Sequence, residues 1–150
     1  MILYIEDILK EVNILNWYKG EPAKDADASA VFVQSDADAQ DALLYHLRDA
    51  VTDVLQFANA NRVRFTCERK DDTLRFLLSP LREGREYLLD TLKEAIRQYL
   101  VYEVRRLWLM NVKPEMADAS LRESLRENIR QAMNDVTAMG EKVRRRYTWI

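Results

Sequence analysis

The sequence predicts a mainly α domain: four helices with one small β-hairpin inserted between the second and third, α+β at the margin. Three observations predict it. The 150 residues include only 3 Gly and 3 Pro, which favours long helices over a turn-rich β sandwich. Apolar residues recur at steps of three and four through most of the chain. One stretch, at about 62–78, switches to strict polar/apolar alternation. The length suits a single domain, expected over 1–140, followed by a basic and aromatic tail at 141–150.

The first helix is read from Ile2, Ile5, Leu9, Val12 and Leu15, with Glu6, Asp7, Lys10 and Glu11 between them. It is expected to stop near Asn16, before the turn Lys19-Gly20-Glu21-Pro22. Residues 23–30 alternate alanine with small polar groups and read as poorly ordered; Val31-Phe32-Val33 reads as a short strand or a hydrophobic plug. Ser35-Asp36 supplies an N-cap, and Asp36, Asp38 and Asp41 suit the first turn of a second helix. That helix carries the stripe Leu43, Leu47, Ala50/Val51, Val54 and Ala58, and Asn59-Ala60-Asn61 ends it.

The alternation of Arg62-Val63-Arg64-Phe65-Thr66-Cys67-Glu68 is that of a half-buried strand. Arg69-Lys70-Asp71-Asp72 makes the turn and Thr73–Leu78 the returning strand. Two strands alone are marginal in water, so the ribbon must lean on helices. After Ser79-Pro80 a long helix is expected from about Arg82 to Met110, apolar around most of its girth and therefore central. Pro114 is placed in the first turn of a last helix with the stripe Leu121, Leu125, Ile129, Ala132, Val136 and Met139, stopped by Gly140.

Composition excludes several chemistries. A net charge of −2 lacks the basic excess of an obligate polyanion binder. A lone Cys67 and a lone His46 exclude an internal disulfide, a multi-cysteine zinc site and a His-rich metal centre. The isolated Gly20, Gly84 and Gly140 build no glycine-rich phosphate cradle and no nucleophile elbow. In the acidic run from Asp36, Asp41 and Leu47 stand where a calcium loop needs glycine and a bidentate glutamate. His46 reads as a structural or surface histidine, and Cys67, at the parity of Val63 and Phe65, as a small buried hydrophobe. No catalytic residue, cofactor or metal ligand is assigned. The acidic N-terminus is unlike a signal peptide, and no apolar run reaches the roughly 18 residues of a membrane span. No membrane contact is expected, and a cytoplasmic location is.

The small net charge conceals a division. Residues 1–61 hold four basic and eleven acidic side chains, −7; residues 62–150 carry +5. Such asymmetry marks an interaction surface, or two halves that complement each other inside one fold. Arg122, Arg126 and Arg130 form one ridge on the last helix, with Glu123 and Glu127 three residues before the second and third. The ridge reads as a salt-bridged solvent face or as a contact surface for nucleic acid or an acidic protein. In the tail, Lys142, Arg144, Arg145 and Arg146 run directly into Tyr147, Trp149 and Ile150. Arginine and aromatic residues anchor interfaces, so this segment either docks on another subunit or packs on its own core.

The helix ending in Tyr102-Glu-Val-Arg-Arg-Leu-Trp-Leu-Met110, the break at Pro114, the final amphipathic helix and Val143-Arg-Arg-Arg-Tyr-Thr-Trp149 form a recognisable layout. In it the C-terminal half resembles the small helical head–tail connector and tail-completion proteins of tailed phages and prophages. The hairpin at 62–78 departs from their mostly helical pattern. The resemblance implies a non-enzymatic structural or assembly subunit acting as a homo-oligomer or gripping neighbouring virion subunits, with a virion location in place of the cytoplasmic one if the chain is of prophage origin. The alternative is a regulatory or nucleic-acid-binding module that uses the arginine-rich last helix and the tail.

Overall fold

The computed structural model describes residues 1–19, 37–58 and 64–137, with side chains over 1–13, 40–58 and 64–137. Its elements are β1 (Ile2–Tyr4), α1 (Ile5–Lys19), α2 (Ala37–Ala58), β2 (Arg64–Lys70), β3 (Thr73–Ser79), α3 (Leu89–Val112) and α4 (Arg122–Val136). Among the described residues the fold is mainly α, four helices with a small antiparallel sheet in the order β1-β3-β2. The expectations for Val31-Phe32-Val33, the Ser35-Asp36 cap, the Gly140 stop and the tail lie outside the described residues.

The α2 stripe is placed as its spacing dictates, with Leu43, Leu47, Ala50, Val54 and Ala58 all buried. In the hairpin, Lys70 pairs with Thr73 across the two-residue turn Asp71-Asp72. Asp71 takes a φ of 51°, a conformation Asp tolerates better than a β-branched residue. Period two then sorts the sheet. Phe65, Cys67 and Arg69 stand opposite Leu78, Phe76 and Leu74 on the helix-facing side, where Phe65 and Phe76 stack at 5.5 Å. The outer side carries Thr66 opposite Leu77 and Glu68 opposite Arg75.

Three expectations need correction. Residues 2–4 form a strand, not the start of the first helix; Leu3 pairs with Leu74 of β3, and the Phe76 amide donates to the Met1 carbonyl at 2.8 Å. Pairing a segment with a strand some 70 residues away leaves no local periodicity, and three apolar residues fit either period. The long helix starts at Leu89, because Gly84 takes a φ of 75° and the polar run before it forms a turn and a short 3-10 segment, Glu86–Leu88. Pro114 opens a separate 3-10 turn, Pro114–Met116, and α4 begins only at Arg122. There the Asp118 carboxylate accepts from the Ser120 amide and hydroxyl at 2.9 and 2.8 Å, an Asx-type turn that delays the helix start. Leu121 thus falls just before α4 and is 55% exposed, while Ile129, Ala132, Met133 and Val136 are buried.

α3 is central, as its apolar girth requires. It buries Leu92, Ile96, Tyr99, Leu100, Val101, Val104 and Leu109 and packs against α1, α2 and α4. Met133, in the last turn of α4, is buried, and the stripe position expected at Met139 lies outside the described residues.

Candidate functional site

The arginine ridge of α4 is the strongest concentration of charge the fold positions. Residues at i, i+4 and i+8 share a helix face, so Arg122, Arg126 and Arg130 stand in a row beside the apolar stripe. That stripe packs on α3, and the row therefore lies along the seam where α4 meets α3 and α2. The Arg126 guanidinium donates to both oxygens of Asp53 on α2, at 2.6 and 2.7 Å. Arg122 reaches Asp53 at 3.4 Å and Glu103 of α3 at 3.1 Å. Arg106, one turn along α3, grips the same Glu103 with two bonds at 2.9 and 2.7 Å. The Tyr99 hydroxyl donates to Asp53 from below.

Phe57 completes the arrangement. Its ring lies 5.2 and 5.5 Å from the guanidinium carbons of Arg126 and Arg130 and meets Tyr99 edge-on. Such cation–π contacts add to the ion pairs because the ring face is negative. Arg130 is paired outward, to Glu123 at 2.9 Å and Glu127 at 3.2 Å, and Arg126 also approaches Glu123 at 3.7 Å. The pairing anticipated from the i,i+3 spacing is therefore present. Glu123 and Glu127 form the solvent side of the ridge, while Asp53 and Glu103 form its inner side.

The electrostatics follow from this geometry. Burial pushes the Asp53 carboxyl upward, but the bonds from Arg126 and Tyr99 and the charges of Arg126 and Arg122 together hold it below the ordinary range. The Tyr99 hydroxyl is pushed up to about 12, first by burial and then by the Asp53 carboxylate that accepts its hydrogen bond. Hydrogen bonds to Asp53 and to Glu103 raise Arg126 and Arg106 respectively. Glu103 is the only buried carboxylate among the described residues, 3% exposed at its side chain, and two arginines neutralise it. The Nε–H groups of Arg122 and Arg126 are buried without an acceptor among the described residues, a cost of about 1–3 kcal/mol each that the ion pairs offset.

The ridge thus joins three helices by charge. A nucleic-acid phosphate would have to displace Asp53, Glu103, Glu123 and Glu127 to reach these guanidinium groups. The charge division of the sequence has a structural counterpart here. Asp53 of the acidic segment pairs with Arg122 and Arg126, and Glu11 of the same segment pairs with Arg97 of α3, which also holds Glu94 at 2.6 Å. For these pairs the two halves complement each other within one fold.

The remaining expected residues are placed as follows. His46 is half-buried on α2, with Nε2 3.4 Å from the Asn111 amide nitrogen. Burial lowers its pKa against the opposing pull of Asp49, so the ring is neutral at pH 7. No group of three His, Cys, Asp or Glu side chains among the described residues converges as a metal site. Cys67 is half-buried on the inner face of the sheet, and burial pushes its thiol up to about 11, far from the range of a thiolate nucleophile. Arg144, Arg145, Arg146, Tyr147, Trp149 and Ile150 lie outside the described residues.

Sequence reasoning missed Asp53, Tyr99, Glu103, Arg106 and Phe57 as parts of this site. One signal was available: Glu103 interrupts the apolar run Leu100-Val101-Tyr102-Glu103-Val104 on the central helix, and a buried acid demands a basic partner. Comparison with protein-family models, with curated proteins and with solved structures finds no match for the chain.

Proposed function

We propose that this protein is a non-enzymatic structural or assembly subunit that works as an oligomer, in the manner of a prophage-encoded head–tail connector. One observation carries the reading. The outer face of the sheet, turned away from the helices, presents Ile2, Tyr4 and Leu77 at 42, 57 and 63% exposure. Ile2 lies opposite Arg75 in the register, which makes it a diagonal neighbour of Leu77, and Tyr4 follows it on the same face of β1. Three large apolar side chains gathered around Arg75, on a face that none of the described helices covers, have the composition of an interface core. The occupant we assign to this face is a second copy of the chain.

Two further features support it. Asp53, Glu103, Arg106, Arg122 and Arg126 are held in pairs that lock α2, α3 and α4 together, which gives a subunit a rigid body. The tail supplies a second set of interface residue types in Arg144–Arg146, Tyr147 and Trp149. No helix among the described residues is long and apolar enough to cross a membrane.

The test is light scattering on the full chain and on a chain truncated after Gly140, each across a concentration series. An oligomer that the truncation weakens, with unchanged helix content, supports the proposal. Monomers in both cases at the highest concentration overturn it.

A further inference from the structure

A cavity of about 330 Å³ lies between α2 and the helix-facing side of the sheet, away from both the arginine ridge and the outer sheet face. It exists because α2 has a second apolar row. Leu44, Val51 and Leu55 stand beside the deep stripe, and none is fully buried. Cys67 and Leu74 of the sheet form the opposite wall. The volume falls at the low end of small-molecule sites, which bury a ligand against mostly apolar walls and orient it with a few polar groups.

The charged groups here are all of one sign. Arg48 comes from α2, on the face of Leu44, Val51 and Leu55, and Arg69 comes from β2. The register explains the presence of Arg69: it stands opposite Leu74, so a charged residue occupies the helix-facing side of the sheet at its end. Both arginines are exposed, and neither forms an ion pair among the described residues, in contrast to Arg97, Arg106, Arg122, Arg126 and Arg130. Arg69 donates its Nε–H to the Asp71 carbonyl at 3.4 Å, and its two Nη groups have no partner among those residues. No acidic side chain lines the cavity; its only other polar lining groups are the hydroxyl of Thr52, already donating to the Arg48 carbonyl at 2.9 Å, and the Cys67 thiol.

We propose that this cavity binds an alkyl carboxylate, its chain against Leu44, Val51, Leu55 and Leu74 and its headgroup between Arg48 and Arg69. An apolar floor selects for a hydrocarbon chain, and two guanidinium groups that hold no carboxylate among the described residues select for a planar anion that accepts paired N–H donors. A neutral headgroup gains no ion pair from the arginines, and a cationic one is repelled. Each methylene buried strengthens binding about fourfold until the space is filled.

Titration calorimetry of the full chain with butanoate, hexanoate, octanoate and decanoate, all below their micellar concentrations, tests this. Decyltrimethylammonium and decanol are the headgroup controls. The expected result is saturable binding of decanoate at one site, affinity rising with chain length, and binding at least about tenfold weaker for decanol, the size of one charge-assisted hydrogen bond. Arg48→Ala/Arg69→Ala, two exposed positions, is expected to weaken decanoate by at least that factor with an unchanged circular dichroism spectrum. The single thiol provides an independent readout: bound decanoate slows alkylation of Cys67 at alkaline pH, and Val51→Phe, which narrows the cavity, abolishes that protection. Equal binding of decanoate and decyltrimethylammonium, an unchanged affinity in the double arginine variant, or no saturable binding overturns the proposal.

Discussion

Removing the Asp53 carboxylate is the most informative single perturbation of the fold. Asp53 accepts two bonds from Arg126, lies 3.4 Å from Arg122 and accepts a hydrogen bond from Tyr99, with its side chain 22% exposed. Asp53→Ala strips Arg126 of its inner partner while the guanidinium remains 18% exposed above Phe57. Breaking a fully buried pair costs about 3–5 kcal/mol and a surface pair about 0–1, so this partly exposed site is worth about 2–3 kcal/mol. For a domain of this size that loss lowers Tm by about 4–12 °C. Thermal and urea unfolding followed by circular dichroism at pH 7 measures it. A double-mutant cycle with Arg126→Ala isolates the pair, with an expected coupling of about 1–2 kcal/mol. Asp53→Asn, which keeps an acceptor for Tyr99, should fall between the wild type and the alanine variant.

The sign with pH is fixed by the same contacts. A carboxyl whose folded pKa is depressed stabilises the protein fully above its unfolded value of about 3.9 and loses that contribution as pH falls through the folded value. Acid should therefore erase the difference between wild type and Asp53→Ala. A variant within about 0.5 kcal/mol of wild type, or a cycle with no coupling, would refute the claim that this network ties the three helices together.

Other consequences are open to simple measurement. The His46 ring should titrate below 6.5 by NMR because burial lowers it; a midpoint at or above that value contradicts its placement against Asn111. Cys67, pushed up to about 11, should react with iodoacetamide at pH 7.4 far more slowly than free cysteine and speed up steadily into alkaline pH. Leu3→Ala, at a buried position of β1 paired to Leu74, should cost about 2–5 kcal/mol, whereas a residue at the frayed start of a helix would cost under about 1. Gly84→Ala should cost about 1 kcal/mol through its positive φ alone, since nothing lies within 4 Å of an added Cβ.

Local patterns were legible in the sequence and distant pairings were not. The α2 stripe and the alternation of β2 are set by residues close in sequence, and both are found where their periods place them. The i,i+3 partners of Arg126 and Arg130 were equally visible, because helix geometry alone brings Glu123 and Glu127 to them. β1 was hidden because its partner is β3, and three apolar residues carry no period of their own. The start of α4 was hidden by Pro114, whose preference for a first turn is satisfied by a 3-10 segment, while Asp118 and Ser120 set the true entry. The inner half of the ridge depends on α2 lying across α4, so Asp53 could not be joined to Arg126 before the packing was known. Arg69 is the subtler case: the sequence reads it as part of the turn after Glu68, whereas β2 runs on to Lys70 and gives Arg69 the inward parity of Phe65 and Cys67.

Sedimentation velocity on the wild type and on Tyr4→Glu/Leu77→Glu, across a wide concentration range, tests the central claim most directly. Both positions are more than half exposed, so the double substitution leaves the core intact and places two charges on the outer sheet face. The account predicts an oligomer for the wild type and a monomer of unchanged helix content for the variant. A wild type that sediments as a monomer throughout, or a variant that assembles as well as the wild type, would contradict it.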